Sequence, residues 1–446
     1  MFRRFIFLLA LAAGPASAQQ VVVRDPEISR YVSHVSADSL KATVQKLVSF
    51  GTRHTLSATT DPAKGIGAAR NWVLSRFRQL GKASGGRLTA ELQSWTLKAG
   101  ERRIDKDHDI ANVVATLKGT DPADPRVFVI SGHLDSRAFD IMNREIDAPG
   151  ANDDGSGVAT VLEAARLLAA SKFPATVVFL VVSGEEQGLY GAEYFAKQAF
   201  ENKTVIEAVL NNDTMGSSAG SETGLHDNTR VRVFSEGLPA YQTAEQAAKI
   251  RGIGAESDGK ARQLARYLKE TGERYVDQLE IVLIFRNDRF QRGGDHTPFV
   301  NNGFAAVRIT EMNENFDHQH QDIHTAGGTE YGDLQKFMDF EYLRKNTGAN
   351  IAALANLAKA PAMPEDVQID LKGPASYAKL SWKAPKTGKV KGYYILMRET
   401  YQPFWQKKIF TTELSTTLPY SRDSFFFAIQ AIGEDGNESL PVIPRP

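Results

Sequence analysis

Short apolar runs that alternate with helical segments constrain the fold of this chain more than any other feature. Near-continuous apolar strands separated by helices are typical of a sheet that helices cover on both faces. We therefore predict an α/β fold with a mixed, mostly parallel sheet sandwiched between helices. The apolar runs are 111–118, 126–131, 176–183, 208–212, 279–285 and 304–309, and the helical segments are 38–80, 156–170, 190–198, 258–272 and 333–357.

The composition changes at 358–364, where AKAPAMP forms a Pro/Ala-rich linker. The following residues lack helical periodicity and carry short strand patterns. We predict a small all-β sandwich over 365–446. Its Trp382, the Tyr393-Tyr394 pair and the stretch 425–439 resemble those of a fibronectin type III domain.

The N-terminus has the three regions of a secretory signal. Arg3 and Arg4 precede the apolar run 5–13, and the small residues 16–18 (Ala-Ser-Ala) supply a cleavage site. We predict a signal peptide over 1–18, a catalytic domain over 19–360, and an exported protein that is periplasmic or secreted. Because no later stretch approaches roughly 20 uninterrupted apolar residues, we expect no membrane association after cleavage.

Charge and cysteine content exclude several classes of function. The chain has 53 basic and 53 acidic residues. Such an even balance is not typical of proteins that bind nucleic acid or an anionic membrane surface. The absence of cysteine excludes disulfides, thiolate nucleophiles and cysteine-based zinc sites. Any metal must therefore be held by His, Asp and Glu.

Five short segments bring acidic residues and histidines together. Four of them follow apolar strands, and the fifth opens a helix. Since the carboxyl ends of parallel strands meet at one edge of a sheet, we expect these segments to converge. Any one of them would be explained by turns and helix caps, but the five together would not. The segments are 131–136, 150–157, 183–188, 211–216 and 316–322.

The residue types in these segments suit a pair of zinc ions. Zinc accepts imidazole and carboxylate ligands, and paired ions are readily bridged by a shared carboxylate. Catalysis also needs an open coordination position and a carboxylate that does not bind metal, to act as general base. The neighbours Glu185 and Glu186 offer that division of labour, because adjacent side chains on a strand or sharp turn point in different directions.

The ordered motifs GHxD, GAxDDGSG, SGEEQGL, NxDTMG and a late histidine resemble those of the co-catalytic zinc aminopeptidases of metallopeptidase family twenty-eight. That family also contains glutamate carboxypeptidase II and the transferrin-receptor ectodomain. The resemblance covers about 40–357. It implies a secreted bacterial enzyme with two Zn²⁺ per chain, which removes N-terminal residues from peptide substrates.

The resemblance also implies the roles of individual residues. His133 and Asp213 hold one zinc, Glu186 and a late histidine hold the other, and Asp153 bridges them. Glu185 is the general base. The family spacing selects His318, four residues before Asp322, while His320 and His296 remain alternatives because Asp317 stands where the family has an aromatic hydroxyl.

The resemblance implies supporting residues as well. Asp135 fixes the tautomer of His133, and Asp154 follows the bridging carboxylate through a cis peptide bond. Arg292, Asp295 and His296 belong to a loop that we expect to shape the substrate pocket, with a purely structural turn as the alternative.

Two further functions stay open. A carboxypeptidase or dipeptidase would use the arginines at 286–292 to bind a terminal carboxylate, and a binding homologue would keep the fold without catalysis. For the C-terminal domain, contact with protein or polysaccharide competes with a packing role.

Overall fold

The computed structural model describes residues 24–445, so the predicted signal peptide lies outside the described residues. The helices and strands alternate through most of the chain. In chain order they are α1 (Pro26–Ser33), α2 (Ala37–Val48), α3 (Gly65–Ala83), β1 (Leu88–Leu97), β2 (His108–Leu117), β3 (Arg126–His133), α4 (Gly155–Leu168), β4 (Thr176–Val182), α5 (Glu185–Gly188), α6 (Tyr190–Glu201), β5 (Val205–Asn212), β6 (Arg230–Phe234), α7 (Ala244–Gly252), α8 (Lys260–Tyr275), β7 (Glu280–Ile284), α9 (His296–Asn301), β8 (Ala306–Glu311), β9 (His324–Ala326), β10 (Thr329–Tyr331), α10 (Phe340–Lys359), β11 (Glu365–Ile369), β12 (Ala378–Lys383), β13 (Val390–Glu399), β14 (Lys407–Thr411), β15 (Ser415–Leu418) and β16 (Phe425–Gly433).

An eight-stranded sheet in the order β1-β2-β4-β3-β5-β8-β6-β7 forms the centre of the first domain. The four inner strands, β4, β3, β5 and β8, run parallel. Strands β1, β2 and β6 are antiparallel to their neighbours β2, β4 and β8 respectively. The predicted mixed, mostly parallel sheet is confirmed.

Successive side chains of the inner strands are buried on opposite faces of the sheet, as the two-residue period of a strand requires. On β3, Phe128 and Ile130 pack in a core with α1–α4, α8 and α10. Val129, between them, packs on the other face with residues of α6 and α9. Burial on both faces explains why these strands appear in the sequence as largely apolar runs.

The C-terminal strands form two three-stranded antiparallel sheets, β11-β12-β15 and β14-β13-β16, around a separate core that includes Trp382 and Tyr393. Buried ion pairs join this C-terminal region to α8 and to the residues just before it. Arg398 lies 2.7 Å from Asp258, and Arg274 lies 2.8 Å from Glu438. The sandwich is thus attached through desolvated charges as well as through the chain.

Some elements differ from the sequence prediction. The helix expected over 333–357 begins at Phe340, because Asp339 caps it by accepting from the Tyr342 N–H. Strand β1 was not predicted, because polar residues interrupt the continuous apolar run that marks the inner strands. Among residues 24–445, no helix combines the length and apolar character needed to cross a membrane.

Candidate metal centre

The carboxyl ends of three parallel strands lie side by side at one edge of the sheet. We call the cluster of side chains that gathers there the centre. His133 is the last residue of β3, Asp213 directly follows β5, and Glu185 and Glu186 begin the short helix after β4. Asp153 comes from the loop before α4. The predicted convergence of the strand-end segments is therefore present in the fold.

A tight turn at Gly184 places the two glutamates. Its φ of +84° is a left-handed conformation that residues with a Cβ rarely adopt. A Cβ there would lie 2.8 Å from Ile110 Cδ1 and 3.2 Å from Tyr190 Cβ. Glycine at this position lets β4 end abruptly, so that Glu185 and Glu186 face the centre.

Two groups of potential ligands share Asp153. One consists of His133, Asp153 and Asp213, and the other of Asp153, Glu186 and His320. His133 Nε2 lies 3.1 Å from Asp153 Oδ1 and 4.0 Å from Asp213 Oδ1. His320 Nε2 lies 2.8 Å from Asp153 Oδ2 and 3.1 Å from Glu186 Oε1. Each group offers one imidazole and two carboxylates, and the shared carboxylate offers one oxygen to each.

The structure brings His320 to the centre, and not His318, which was the first choice from the sequence. The His318 ring stacks on Phe337 with centroids 3.7 Å apart. His320 has a left-handed φ of 57°, and its side chain reaches Asp153 and Glu186. The prediction of His318 is corrected to the alternative, because local backbone conformation and not spacing to Asp322 decides which imidazole points inward.

Asp154 holds the ends of the converging elements together. Its Oδ2 accepts from the His133 N–H at 2.9 Å, and its Oδ1 accepts from the Gly157 N–H at 2.8 Å. The peptide bond between Asp153 and Asp154 is cis, as the resemblance implies. Asp154 therefore links the end of β3 to the start of α4.

Asp135 supports the centre differently from the expectation. Its backbone carbonyl, at 3.0 Å, and not its carboxylate, is the partner of His133 Nδ1. The carboxylate oxygen Oδ1 is 3.9 Å from that nitrogen and instead accepts from the Gly184 N–H at 2.8 Å. Its Oδ2 accepts from the Glu186 N–H at 3.0 Å. The carboxylate thus positions the Glu185-Glu186 segment.

Three other residues that contact the centre were missed from the sequence. Arg308 Nε lies 3.1 Å from Asp213 Oδ2, and Gln319 Nε2 donates to Asp153 Oδ2 at 2.9 Å. Asp333 accepts from the Asp153 N–H at 2.7 Å. A charged residue inside the apolar strand β8 was an available signal for Arg308. Gln319 and Asp333 carried no comparable signal.

The loop predicted to shape the pocket does so only in part. Arg292 lines a cavity of about 500 Å³ into which Glu185, Glu186 and Asp213 also face. Asp295 and His296 are buried and do not line it, and neither belongs to the two ligand groups. His296 Nε2 contacts the Asn287 carbonyl at 2.9 Å, which disfavours it as a ligand.

The centre strongly perturbs its titratable groups. Burial alone would lower the pKa of His320, but Glu186 and Asp153 outweigh it and raise that pKa to about 10. Burial would likewise lower the pKa of His133, which Asp154 and Asp153 instead raise well above its usual value. Desolvation, with Glu186 and Asp295, raises the pKa of Glu185 well above that of an exposed glutamate. Such concentrated negative charge requires cations.

The donor set fits zinc. Buried carboxylate oxygens of Asp153 (Oδ1) and Glu186 (Oε1) accept no hydrogen bond of normal geometry, although leaving a buried carboxylate oxygen without one is costly, and the imidazole nitrogens 3.1 Å from them belong to the same two ligand groups. Imidazole nitrogens and carboxylate oxygens are ligands that zinc accepts. The residues of both groups can therefore hold metal.

The fold and this donor set define an α/β protein with a candidate metal centre at the ends of its parallel strands. Residues 112–339 match the model of Peptidase family M28. A probable zinc metalloprotease of Leptosphaeria maculans is 42% identical over 423 residues, covering 95% of this chain and 97% of the relative. The chain belongs to Peptidase family M28 and is a zinc metalloprotease.

Solved structures share the fold at low sequence identity. An aminopeptidase of Legionella pneumophila, LapA, has a TM-score of 0.53 at 20% identity and covers 78% of each chain. A glutaminyl cyclase of Macrostomum lignano has a TM-score of 0.53 at 16% identity, covering 76% of this chain and 94% of its own. Because both activities occur on this fold, the site must identify the reaction.

Proposed function

We propose that this protein is a dizinc exopeptidase that releases N-terminal residues from peptides, with Glu185 as general base. The observation that carries the proposal is the sharing of Asp153 by two ligand groups, one with His133 and Asp213 and one with Glu186 and His320. Glu185 faces the same cavity without belonging to either group. This arrangement supports two metal ions and a separate carboxylate for proton transfer.

Bound zinc supplies Lewis-acid chemistry, since it polarises a peptide carbonyl and lowers the pKa of water. The chain itself moves the proton. Glu185 takes a proton from the attacking water and delivers it to the departing amine, and the cavity brings substrate within its reach. Asp135 keeps Glu185 in place by accepting from the Gly184 and Glu186 N–H groups.

Two considerations support action at a chain end. A cavity of about 500 Å³ has room for a few residues of a peptide end. The fold also occurs in a protein described as an aminopeptidase. A carboxypeptidase or dipeptidase is the second candidate, favoured by the arginines of the cavity. A binding homologue without catalysis is disfavoured, because Glu185 and both ligand groups are retained.

Blocked peptides test the proposal. We expect cleavage of Leu-Gly-Gly and its amide but not of N-acetyl-Leu-Gly-Gly, loss of activity with a chelator, and recovery on adding zinc. Elemental analysis should find two zinc ions per chain. Cleavage of the acetylated peptide together with resistance of the amide would favour the carboxypeptidase.

We further propose that the protein is exported and that peptides, and not nucleic acids, are its partners. The signal-like N-terminus and the even balance of 53 basic and 53 acidic residues support this. Two packed antiparallel sheets support a fibronectin type III-like domain over 365–446. Its contact with protein or polysaccharide, and a bacterial source, stay predictions. Detection of the processed protein outside the cytoplasm, cleaved after residue 18, would test export.

A further inference from the structure

The arginines that line the cavity fall into two groups, and in the first group each guanidinium has a carboxylate partner. Arg289 Nη1 lies 2.6 Å from Glu314 Oε2, and Arg292 Nη1 lies 3.6 Å from the same oxygen. Arg308 Nη1 donates to Asp288 Oδ1 at 2.9 Å. The positive charges of this group are offset within the protein.

The second group, which we call the arginine wall, consists of Arg102, Arg103 and Arg137. All three line the cavity. Arg103 Nη1 donates to the Glu186 carbonyl at 2.8 Å, and Arg137 Nη2 donates to the Phe139 carbonyl at 3.0 Å. Among the ion pairs of residues 24–445, none joins a carboxylate to any member of the wall.

The position of the wall makes this lack of carboxylate partners informative. Arg102 and Arg103 lie on the hairpin between β1 and β2, and Arg137 follows β3, so separate segments bring three cations together. Like charges gathered at a cavity are stabilised when an anion enters between them.

We propose that the arginine wall binds a carboxylate of the peptide substrate, so that the preferred substrates carry an acidic side chain or a free C-terminus close to the cleaved bond. Guanidinium groups bind carboxylates through paired hydrogen bonds, which gives both strength and orientation. The contact of Arg103 with the Glu186 carbonyl places the wall beside a proposed metal ligand. The inference rests on the proposed function, because it assigns the substrate class of the same cavity.

Matched charge reversals test the wall. Arg102→Glu reverses the charge of a wall residue whose side chain makes no hydrogen bond among the described residues. Lys106→Glu is the control, because it makes the same charge change on the same hairpin but away from the cavity. Arg137→Gln serves as a second variant. Calorimetry in a zinc-loaded Glu185→Gln background would measure binding of Ala-Glu-Ala-amide, Ala-Gln-Ala-amide and Ala-Gln-Ala with a free C-terminus.

We expect Ala-Glu-Ala-amide, the free-acid Ala-Gln-Ala or both to bind at least tenfold more tightly than Ala-Gln-Ala-amide. Tighter binding of the first peptide indicates recognition of an acidic side chain, and tighter binding of the second indicates recognition of the C-terminus. Arg102→Glu and Arg137→Gln should each reduce this preference at least several-fold, while Lys106→Glu keeps it. Equal binding of all three peptides, or equal loss in Arg102→Glu and Lys106→Glu, would overturn the inference.

The wild-type protein separates this inference from the proposed function. Cleavage of these peptides at equal kcat/KM would overturn the arginine wall and leave the peptidase intact. Tight, wall-dependent binding of carboxylate peptides without any cleavage would support the wall and overturn the peptidase.

Discussion

His320 Nε2 lies 2.8 Å from Asp153 Oδ2, and the other oxygen of that carboxylate lies 3.1 Å from His133 Nε2. One aspartate thus stands between two imidazoles, each of which has a further carboxylate beside it. The relationship defines where two metal ions would bind and which late histidine would participate.

His320→Ala should therefore lose one of two zinc ions and most peptidase activity. Removing one of three protein ligands weakens the second position, while His133, Asp153 and Asp213 remain at the first. The matched control is His318→Ala, whose ring stacks on Phe337 away from the centre, and which should keep both ions. Elemental analysis and kcat would decide, and the reverse pattern would restore His318 as the ligand.

Glu185→Gln should retain zinc and lower kcat by about 10²–10⁴-fold, because the amide cannot accept the proton of the attacking water. Glu193→Gln, a carboxylate on the following helix, should leave kcat unchanged within about twofold. Near-wild-type turnover in Glu185→Gln would refute the proposed role, and metal loss would make Glu185 a ligand.

Zinc uptake should release protons at neutral pH. In the metal-free protein the pKa of His320 is about 10, so its imidazole is protonated at pH 7 and must become neutral to bind metal. Protons and zinc compete for the imidazole. The zinc affinity should accordingly fall about tenfold for each unit by which the pH is lowered, for each proton displaced. Calorimetry in buffers of different ionisation enthalpy measures this release, and its absence would contradict the raised pKa.

Glu438→Gln should lower the free energy of unfolding by about 2 kcal/mol, because the buried Arg274 then keeps only Glu270 as an ionic partner. The exposed Glu413→Gln should change stability by less than about 0.5 kcal/mol. Chemical denaturation of both variants measures the difference. Equal stabilities would show that the ion pair contributes little to the attachment of the C-terminal sandwich.

The contribution of Glu438 should also depend on pH. Burial would raise its pKa, but Lys408 and Arg274 outweigh burial and lower it from 4.5 to about 2. A depressed pKa means that the stabilisation is fully present above about pH 4.5 and is lost as the pH falls towards 2. The stability difference between wild type and Glu438→Gln should shrink over that window, and a constant difference would contradict the shift.

Much of the fold could be predicted from the sequence, because strands that are buried on both faces of a sheet have continuous apolar sequences. Strands β3 and β4 contain uninterrupted apolar runs, which few other structures require. Strand β1 has alternating and not continuous apolar residues, and this weaker strand pattern was missed. The start of α10 at Phe340 was missed because its cap at Asp339 lies within a segment that is otherwise compatible with helix.

By itself, the sequence determined the α/β architecture, the strand-end positions of His133, Glu185, Glu186 and Asp213, and, with no cysteine available, a centre built from His, Asp and Glu. Only the tertiary structure decided between His318 and His320, turned the Asp135 carboxylate towards the Glu185 segment, and separated the paired arginines from the arginine wall. These outcomes depend on backbone conformation and on contacts between residues far apart in the chain. Local patterning specifies which residues are buried, but it does not specify which partner each side chain meets.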